Sequence, residues 1–194
     1  MSVLAPGLLL AAPRLGDPNF VKSVVLLGHH DEEGALGWVL NGKALGPVSR
    51  LLTDADLVPP GTSLPESTSY AGIVRVGGPV MPGSAWILFE RPDGHTPWDP
   101  EHDLRDGHAV TGAREAVEAL ARGTAPARFR LILGYAGWGA GQLEGEIREG
   151  AWLPTQVDPT LLFDTPPDAL WDSAYQVSLG TTPMAFTSTV RGQA

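Results

Sequence analysis

The stretch from Leu131 to Trp152, LILGYAGWGAGQLEGEIREGAW, constrains this chain most. An apolar run ends at Leu133, and glycines follow at 134, 137, 139, 141 and 145 with Tyr135 and Trp138 set among them. Glycines this close together mark positive φ angles or backbone packed too tightly for a Cβ. The pattern predicts a buried strand, a tight glycine turn and a short acidic helix, QLEGEIREG, before Trp152. Such a turn can present backbone N–H groups to an anion, or it can be a packing turn that folds Trp138 back onto a sheet. The spacing fits the phosphate reading poorly. GxxxxGK[ST] is absent, and GxGxxG fits Gly137 and Gly139 but meets Gln142 where its third glycine belongs. Glu144 and Glu146 fall in the first helical turns, where they suit the helix dipole themselves and would repel a phosphate.

A chain of 194 residues makes one large domain or two small lobes sharing a core. It has no cysteine, which excludes disulfides, thiolate nucleophiles and cysteine–metal sites. The net charge of −9 disfavours DNA or RNA binding, which rests on neutralising phosphates with Lys and Arg. Arg122, Arg128 and Arg130 form the only mild basic cluster. At the N-terminus no basic residue precedes the apolar run, and Pro6-Gly7 interrupts it, so a signal peptide is disfavoured. No apolar stretch approaches the ~18 residues of a membrane helix. No membrane association and a cytoplasmic location are expected.

In chain order, strands are predicted at residues 7–12, 21–27 and 35–41, the last two close enough for a hairpin around the polar loop 28–34. A helix is predicted over 47–55 with Pro47 near its first position, then a proline-containing loop over 58–70. Strands follow at 73–76 and 85–89. Residues 90–108 read as a long polar loop carrying Trp98. The clearest helix is 113–122, stopped by Gly123. Beyond the opening stretch, short strands are expected at 152–153 and 161–163, a last helix at 167–177, and a weakly ordered tail over 180–194.

Four motifs together resemble the AlgH/YqgE family of bacterial proteins. The first is APRLGDPNFVKSVVLLGHHDEEGALGWVLN, from Ala12 to Asn41. The second is Gly77-Gly78-Pro79-Val80. The third is Leu133-Gly134-Tyr135-Ala136-Gly137-Trp138, followed by Gly141-Gln142-Leu143-Glu144 and Trp152-Leu153. The fourth is LLFDTP with Trp171. The resemblance runs over nearly the whole chain and implies a single α/β (α+β) domain with a mixed, strongly curved sheet and flanking helices. It also implies a cytosolic bacterial protein. The family carries a transcriptional-regulator label without an established molecular activity, so it transfers no catalytic set. Gly28 departs from the family, where an acidic residue commonly precedes the histidine, and the 91–108 loop is peculiar to this chain.

His29, His30 and Asp31 share one loop, and His95, Asp99, His102, Asp103 and His108 share another; imidazole and carboxylate suit zinc. HExxH is missing, and adjacent histidines on an extended chain point to opposite faces, so no metal and no cofactor is expected. There is no GxSxG elbow. Glu144 and Glu146, two apart on a helix, point about 200° from one another. No catalytic residues are assigned. Binding remains. Asn41, Gly77, Gly78, Tyr135, Gly137, Trp138 and Gln142 are expected at strand ends, where open α/β sheets take ligands. The expected function is a non-enzymatic binding or regulatory protein acting on a protein partner or small ligand. The alternative is an enzyme or nucleotide-binding protein using the glycine motifs or the 28–33 and 95–108 loops.

Overall fold

The computed structural model describes residues 4–91, 98, 100–105 and 107–186. The fold is mixed α/β, and the chain divides into two compact units. One comprises the residues up to Gly42 and those from Ala136 on; the other is Lys43–Tyr135.

The first unit opens with β1 (Gly7–Ala11), every residue of which is buried. The run is too short for a helix and apolar on both faces, as a doubly covered strand requires. It pairs antiparallel with β2 (Val24–His30), Leu8 opposite Leu26, and β2 pairs with β3 (Gly34–Val39), Leu26 opposite Trp38. The β2–β3 register shifts between Leu27 and His29, so Gly28 is the extra residue of a bulge. Such a bulge re-aims the side chains beyond it. His30 consequently faces inward, with 7% of its surface exposed.

The second unit begins with β4 (Ala44–Pro47), α1 (Val48–Asp54) and α2 (Thr68–Ala71), followed by β5 (Ile73–Val76) and the long β6 (Val80–Glu90). The expected polar loop 90–108 is partly strand. Within it β7 (His102–Arg105) pairs antiparallel with β8 (His108–Thr111), and Trp98 packs edge-on against Phe89 at 5.1 Å. Helix α3 (Arg114–Ala121) ends as predicted. Gly123 sits at φ 74°, its amide bonds to Leu120 and that of Thr124 to Ala119, the paired bonds of a Schellman stop. Strand β9 (Phe129–Gly139) takes β5 in parallel on one side and β6 antiparallel on the other, and β6 carries β8. One face of these strands is covered by a core that joins Leu52, Val74, Ile87, Leu120 and Leu131.

From Ala136 the same strand β9 belongs to the first unit, where Leu36 lies opposite Gly137 and Ala35 opposite Trp138. The predicted glycine turn is therefore displaced: the strand runs on through Gly139, and the turn is Ala140-Gly141. Helix α4 (Gln142–Arg148) follows Gly141, which adopts φ 71°. The helix stops at Gly150 (φ 71°) with a second Schellman pair, Gly150 to Ile147 and Ala151 to Glu146. That reversal delivers β10 (Trp152–Thr155) antiparallel to β1, Trp152 opposite Ala11. Residues 161–163, expected as a strand, are helical within α5 (Pro159–Phe163), capped by the Asp158 side chain on the Thr160 amide. The last predicted helix is a 3-10 turn at Pro167–Ala169 leading into α6 (Leu170–Leu179). Trp171 and Tyr175 on α6 both donate to the Ala11 carbonyl, at 2.8 and 3.1 Å. Of the tail, residues up to 186 are described: Phe186 stacks edge-on against Tyr175 at 5.8 Å, and residues 187–194 lie outside the described residues.

Candidate functional site

Helix α4 organises the polar chemistry of the first unit. Buried indoles carry an N–H that needs an acceptor, and both tryptophans flanking this helix find the same one. The Trp138 and Trp152 Nε1–H groups donate to Oε2 of Glu146 at 2.9 and 2.8 Å. Gln142 Nε2 donates to Glu146 Oε1 at 2.9 Å, and Gln142 Oε1 accepts the Gly139 amide at 3.0 Å. The two indoles meet edge to face at 6.0 Å, and Phe20 closes the cluster at 6.3 Å from Trp138 and 5.5 Å from Trp152. Trp138 is 6% exposed. This is a carboxylate clamp inside an aromatic cluster.

Glu144 leaves the same helix in another direction, as its spacing from Glu146 predicts, and meets His30 Nε2 at 3.0 Å. His30 Nδ1 faces the Leu4 N–H at 3.3 Å. With both ring nitrogens engaged, this pair offers no free base to a substrate. Glu144's carboxyl is held below its ordinary range, first by its own backbone N–H at the start of α4 and next by His30. The sign follows from linkage. A carboxyl whose folded pKa lies below its unfolded value stabilises the fold above that value. The contribution disappears as pH falls through the folded pKa. Acid titration below the usual 4.5 is therefore expected to lower the denaturation midpoint, and to lower it less in Glu144→Gln. Parallel pH–midpoint curves for the two proteins would refute the assignment.

His29 points outward, 53% exposed, and pairs with Asp31 at 2.8 Å. Asp31 Oδ1 also accepts the amides of Glu33 and Gly34, which closes the β2–β3 turn; the Glu33 amide first and His29 next hold its carboxyl low. Asn41 is a connector. Its Oδ1 accepts the Val24 amide at 2.9 Å and its Nδ2 donates to the Lys22 carbonyl at 2.9 Å. It lies just past the end of β3 remote from the Trp138 pairing, so the structure does not bring it to the Trp138–Gln142 group.

In the second unit Gly77, Gly78 and Tyr135 do come together. The Gly77 amide donates to the Leu133 carbonyl at 2.7 Å, and Val80 lies opposite Tyr135. Gly134, at φ 73°, leaves only 2.8 Å between the place of a Cβ and the Gly78 carbonyl oxygen. Beside them β6 loses register between Val80 and Ala85, and the chain bows outward. Met81 sits there in the left-handed region (φ 43°), 63% exposed. Ser84 Oγ donates to the Met81 carbonyl at 2.8 Å and accepts the Trp86 N–H at 3.1 Å. Trp86 lies edge-on to Tyr135 and tilted against His102, each at 6.0 Å. Of the seven expected binding residues, Gly137, Trp138, Gln142 and Asn41 belong to the first unit, the first three around α4 and Asn41 past the far end of β3, and Gly77, Gly78 and Tyr135 belong to the second.

The second histidine loop is tied up internally where it is described. Arg91 donates to Asp103 at 2.6 Å, and His108, buried, lies 3.9 Å from Glu90, which also takes Arg128 at 3.3 Å. His95 and Asp99 lie outside the described residues. Among the described residues no group of three or more His, Asp or Glu could hold a metal ion. The residues that sequence reasoning missed are Glu146 as the acceptor for two indoles, and the His30–Glu144 pair. Only the first had a signal, two tryptophans bracketing a short acidic helix.

With that geometry in view, comparison with known proteins is decisive. The AlgH-like family model matches residues 8–182, both compact units included. The chain belongs to the AlgH-like family. A UPF0301 protein of Anaeromyxobacter sp. (strain K) is 43% identical over 187 residues, covering 94% of this chain and 91% of the relative. One from Idiomarina loihiensis is 40% identical, covering 90% of each. The solution structure of AlgH from Pseudomonas aeruginosa superposes with a TM-score of 0.71 at 32% identity, over 96% of this chain and 94% of that one. A Corynebacterium diphtheriae protein, 21% identical, shares the fold at a TM-score of 0.70 over 92% and 89%. No helix among the described residues of this AlgH-like chain is long and apolar enough to cross a membrane.

Proposed function

We propose that this AlgH-like protein is a non-enzymatic binding protein with a regulatory role, and that it meets a protein partner through the second unit, at Met81–Ser84 and Tyr135. The observation that carries this reading is the engagement of the polar side chains in the family motifs. Glu146, Gln142, His30 and Asn41 all hydrogen-bond within the fold. Among the exposed apolar side chains, Met81 stands out as outward, in a left-handed backbone conformation and next to the strand pairing of Val80 with Tyr135. Sparsely populated backbone conformations cost about 1–3 kcal/mol and cluster at functional sites. Aromatic residues and Met are enriched at interfaces. The regulatory part rests on the family resemblance alone. Direct DNA binding is disfavoured by the net charge of −9.

The test is site-directed photo-crosslinking in cells at position 81, with exposed position 50 as control. A discrete adduct at 81 that is absent at 50, and lost in Tyr135→Ala protein of unchanged melting temperature, is expected. Equal labelling at both positions would dismiss this contact surface. Sequence-selective, submicromolar DNA binding at physiological salt would put DNA recognition in its place.

A small-ligand reading has one specific support. A cavity of about 520 Å³ between α1 and α2, lined in part by Ser49, Leu64, Glu66, Thr68 and Tyr70, lies in the size range of small-molecule sites. The enzyme alternative has no comparable feature among the described residues.

A further inference from the structure

We propose that His30 is a proton-responsive latch: it holds the Leu4 amide while neutral and releases it when the imidazole takes a second proton from solvent. The geometry fixes the protonation logic. A backbone N–H only donates, so the Leu4 amide 3.3 Å from Nδ1 requires a lone pair there. The ring proton is then on Nε2, where it donates to Glu144 Oε1 at 3.0 Å. A second proton adds an N–H at Nδ1 aimed at another N–H. The contact turns from attractive to repulsive on that side only, because the Glu144 carboxylate accepts from the imidazolium as well. The cation therefore stays in place and the Leu4 segment is what moves.

The surroundings support a switch at this residue. His30 is 7% exposed, so water does not substitute freely for the lost partner. The Gly28 bulge turns its ring inward. The charged groups around it are few. Helix α4 supplies Glu144, with Arg148 beyond it bonded to the Glu144 carbonyl at 3.2 Å. Its own strand and turn supply His29 and Asp31, which pair with each other on the exposed side. The residue opposite on β3 is Ala35, and the Leu4–Ala5 segment brings no charged side chain. Leu4 and Ala5 pack against the apolar core formed by Leu9, Val25, Leu27 and Trp138. Release of the Leu4 amide therefore loosens one border of that core.

The experiment is a pH titration of the ¹⁵N-labelled full chain from about pH 8 to about pH 5, the interval in which imidazoles change charge. It follows the His30 ring nitrogens and the Leu4 amide together. Expected are the Nε2–H tautomer at the upper end and a Leu4 shift with the same midpoint as the His30 ring. Leu4 hydrogen exchange, corrected for its intrinsic pH dependence, should rise by roughly tenfold, as for loss of one hydrogen bond. His30→Asn keeps an acceptor near the Nδ1 position and cannot charge, so its Leu4 amide should not respond. An Nδ1–H tautomer at high pH, a Leu4 amide indifferent to His30 titration, or a response that persists in His30→Asn would each overturn the latch. Should His30→Asn fail to fold, the wild-type titration decides alone.

Discussion

Trp138→Ala is expected to lower the thermal midpoint by roughly 6–20 °C. Truncating a packed tryptophan costs about 3–5 kcal/mol, and a chain of this size loses about 2–4 °C per kcal/mol. Three connected losses stand behind the figure. The ring leaves the cluster with Phe20 and Trp152, the neighbours cannot close over the void, and Glu146 loses one of its two indole donors. Trp138→Phe separates the contributions, since it keeps most of the apolar volume and drops only the hydrogen bond. It should recover only part of the lost stability, because a hydrogen bond to a charged carboxylate is worth about 1.5–3 kcal/mol of the about 3–5 kcal/mol at stake. Melts of both variants within a degree or two of wild type would mean that the tryptophan cluster does not hold the unit together.

Gly134→Ala should be nearly as damaging, for a backbone reason. Gly134 adopts φ 73°, and a Cβ there would stand 2.8 Å from the Gly78 oxygen, 3.0 Å from the Val80 oxygen and 3.2 Å from the Pro82 Cα. All three are main-chain atoms and cannot rotate away. The left-handed conformation costs an L-residue about 1–2 kcal/mol, and forced overpacking adds about 1–3 kcal/mol. Gly141 is the internal control: its φ is 71° but its Cβ position is open. Gly141→Ala should show only the conformational part. Equal denaturant midpoints for the two variants would rule out close packing of the Gly77–Val80 segment on Gly134.

Much of this architecture was legible because single residues carried single signals. The apolar run 7–12 had to be a strand, and Gly123 had to stop α3. Trp138 was expected to be buried, and it is. Misreadings came where two signals competed. Leu161–Phe163 is a three-residue apolar run, a length at which strand and helix look alike. The decisive marks were its neighbours, Asp158 as cap and Pro159 at the first helical position. Residues 102–105, within the stretch 90–108, look polar and loop-like, yet they pair as a strand with His108–Thr111, and Gly107 before that partner adopts φ 77°. Among the clustered glycines the positive φ angles fall at Gly134 and Gly141, and Gly137 lies within the paired strand. The polar partnerships were largely out of reach for a different reason, although the tryptophans bracketing an acidic helix hinted at the first. Glu146 meets Trp152 only because a Schellman turn reverses the chain, and Glu144 meets His30 across 114 residues. Neither distance is encoded in local spacing.

The division of the first unit into two chain segments bears on how the protein is made. β1, β2 and β3 leave the ribosome early, but the partner of β3 starts at Ala136, after all of the intervening second unit. At the usual pace of about 5–20 residues per second, that wait is on the order of ten seconds. During it a nascent hairpin with apolar faces has one edge, Gly34–Gly37, without its strand, and β1 is without β10. An unpaired apolar edge invites pairing with another chain. The second unit, though contiguous in sequence, offers no early cover, since the strand on which β5 and β6 pair is completed only at Tyr135. Synthesis of this protein therefore depends on shielding its first forty residues, and a trigger-type chaperone at the ribosome exit is the factor whose removal should cut its soluble yield most.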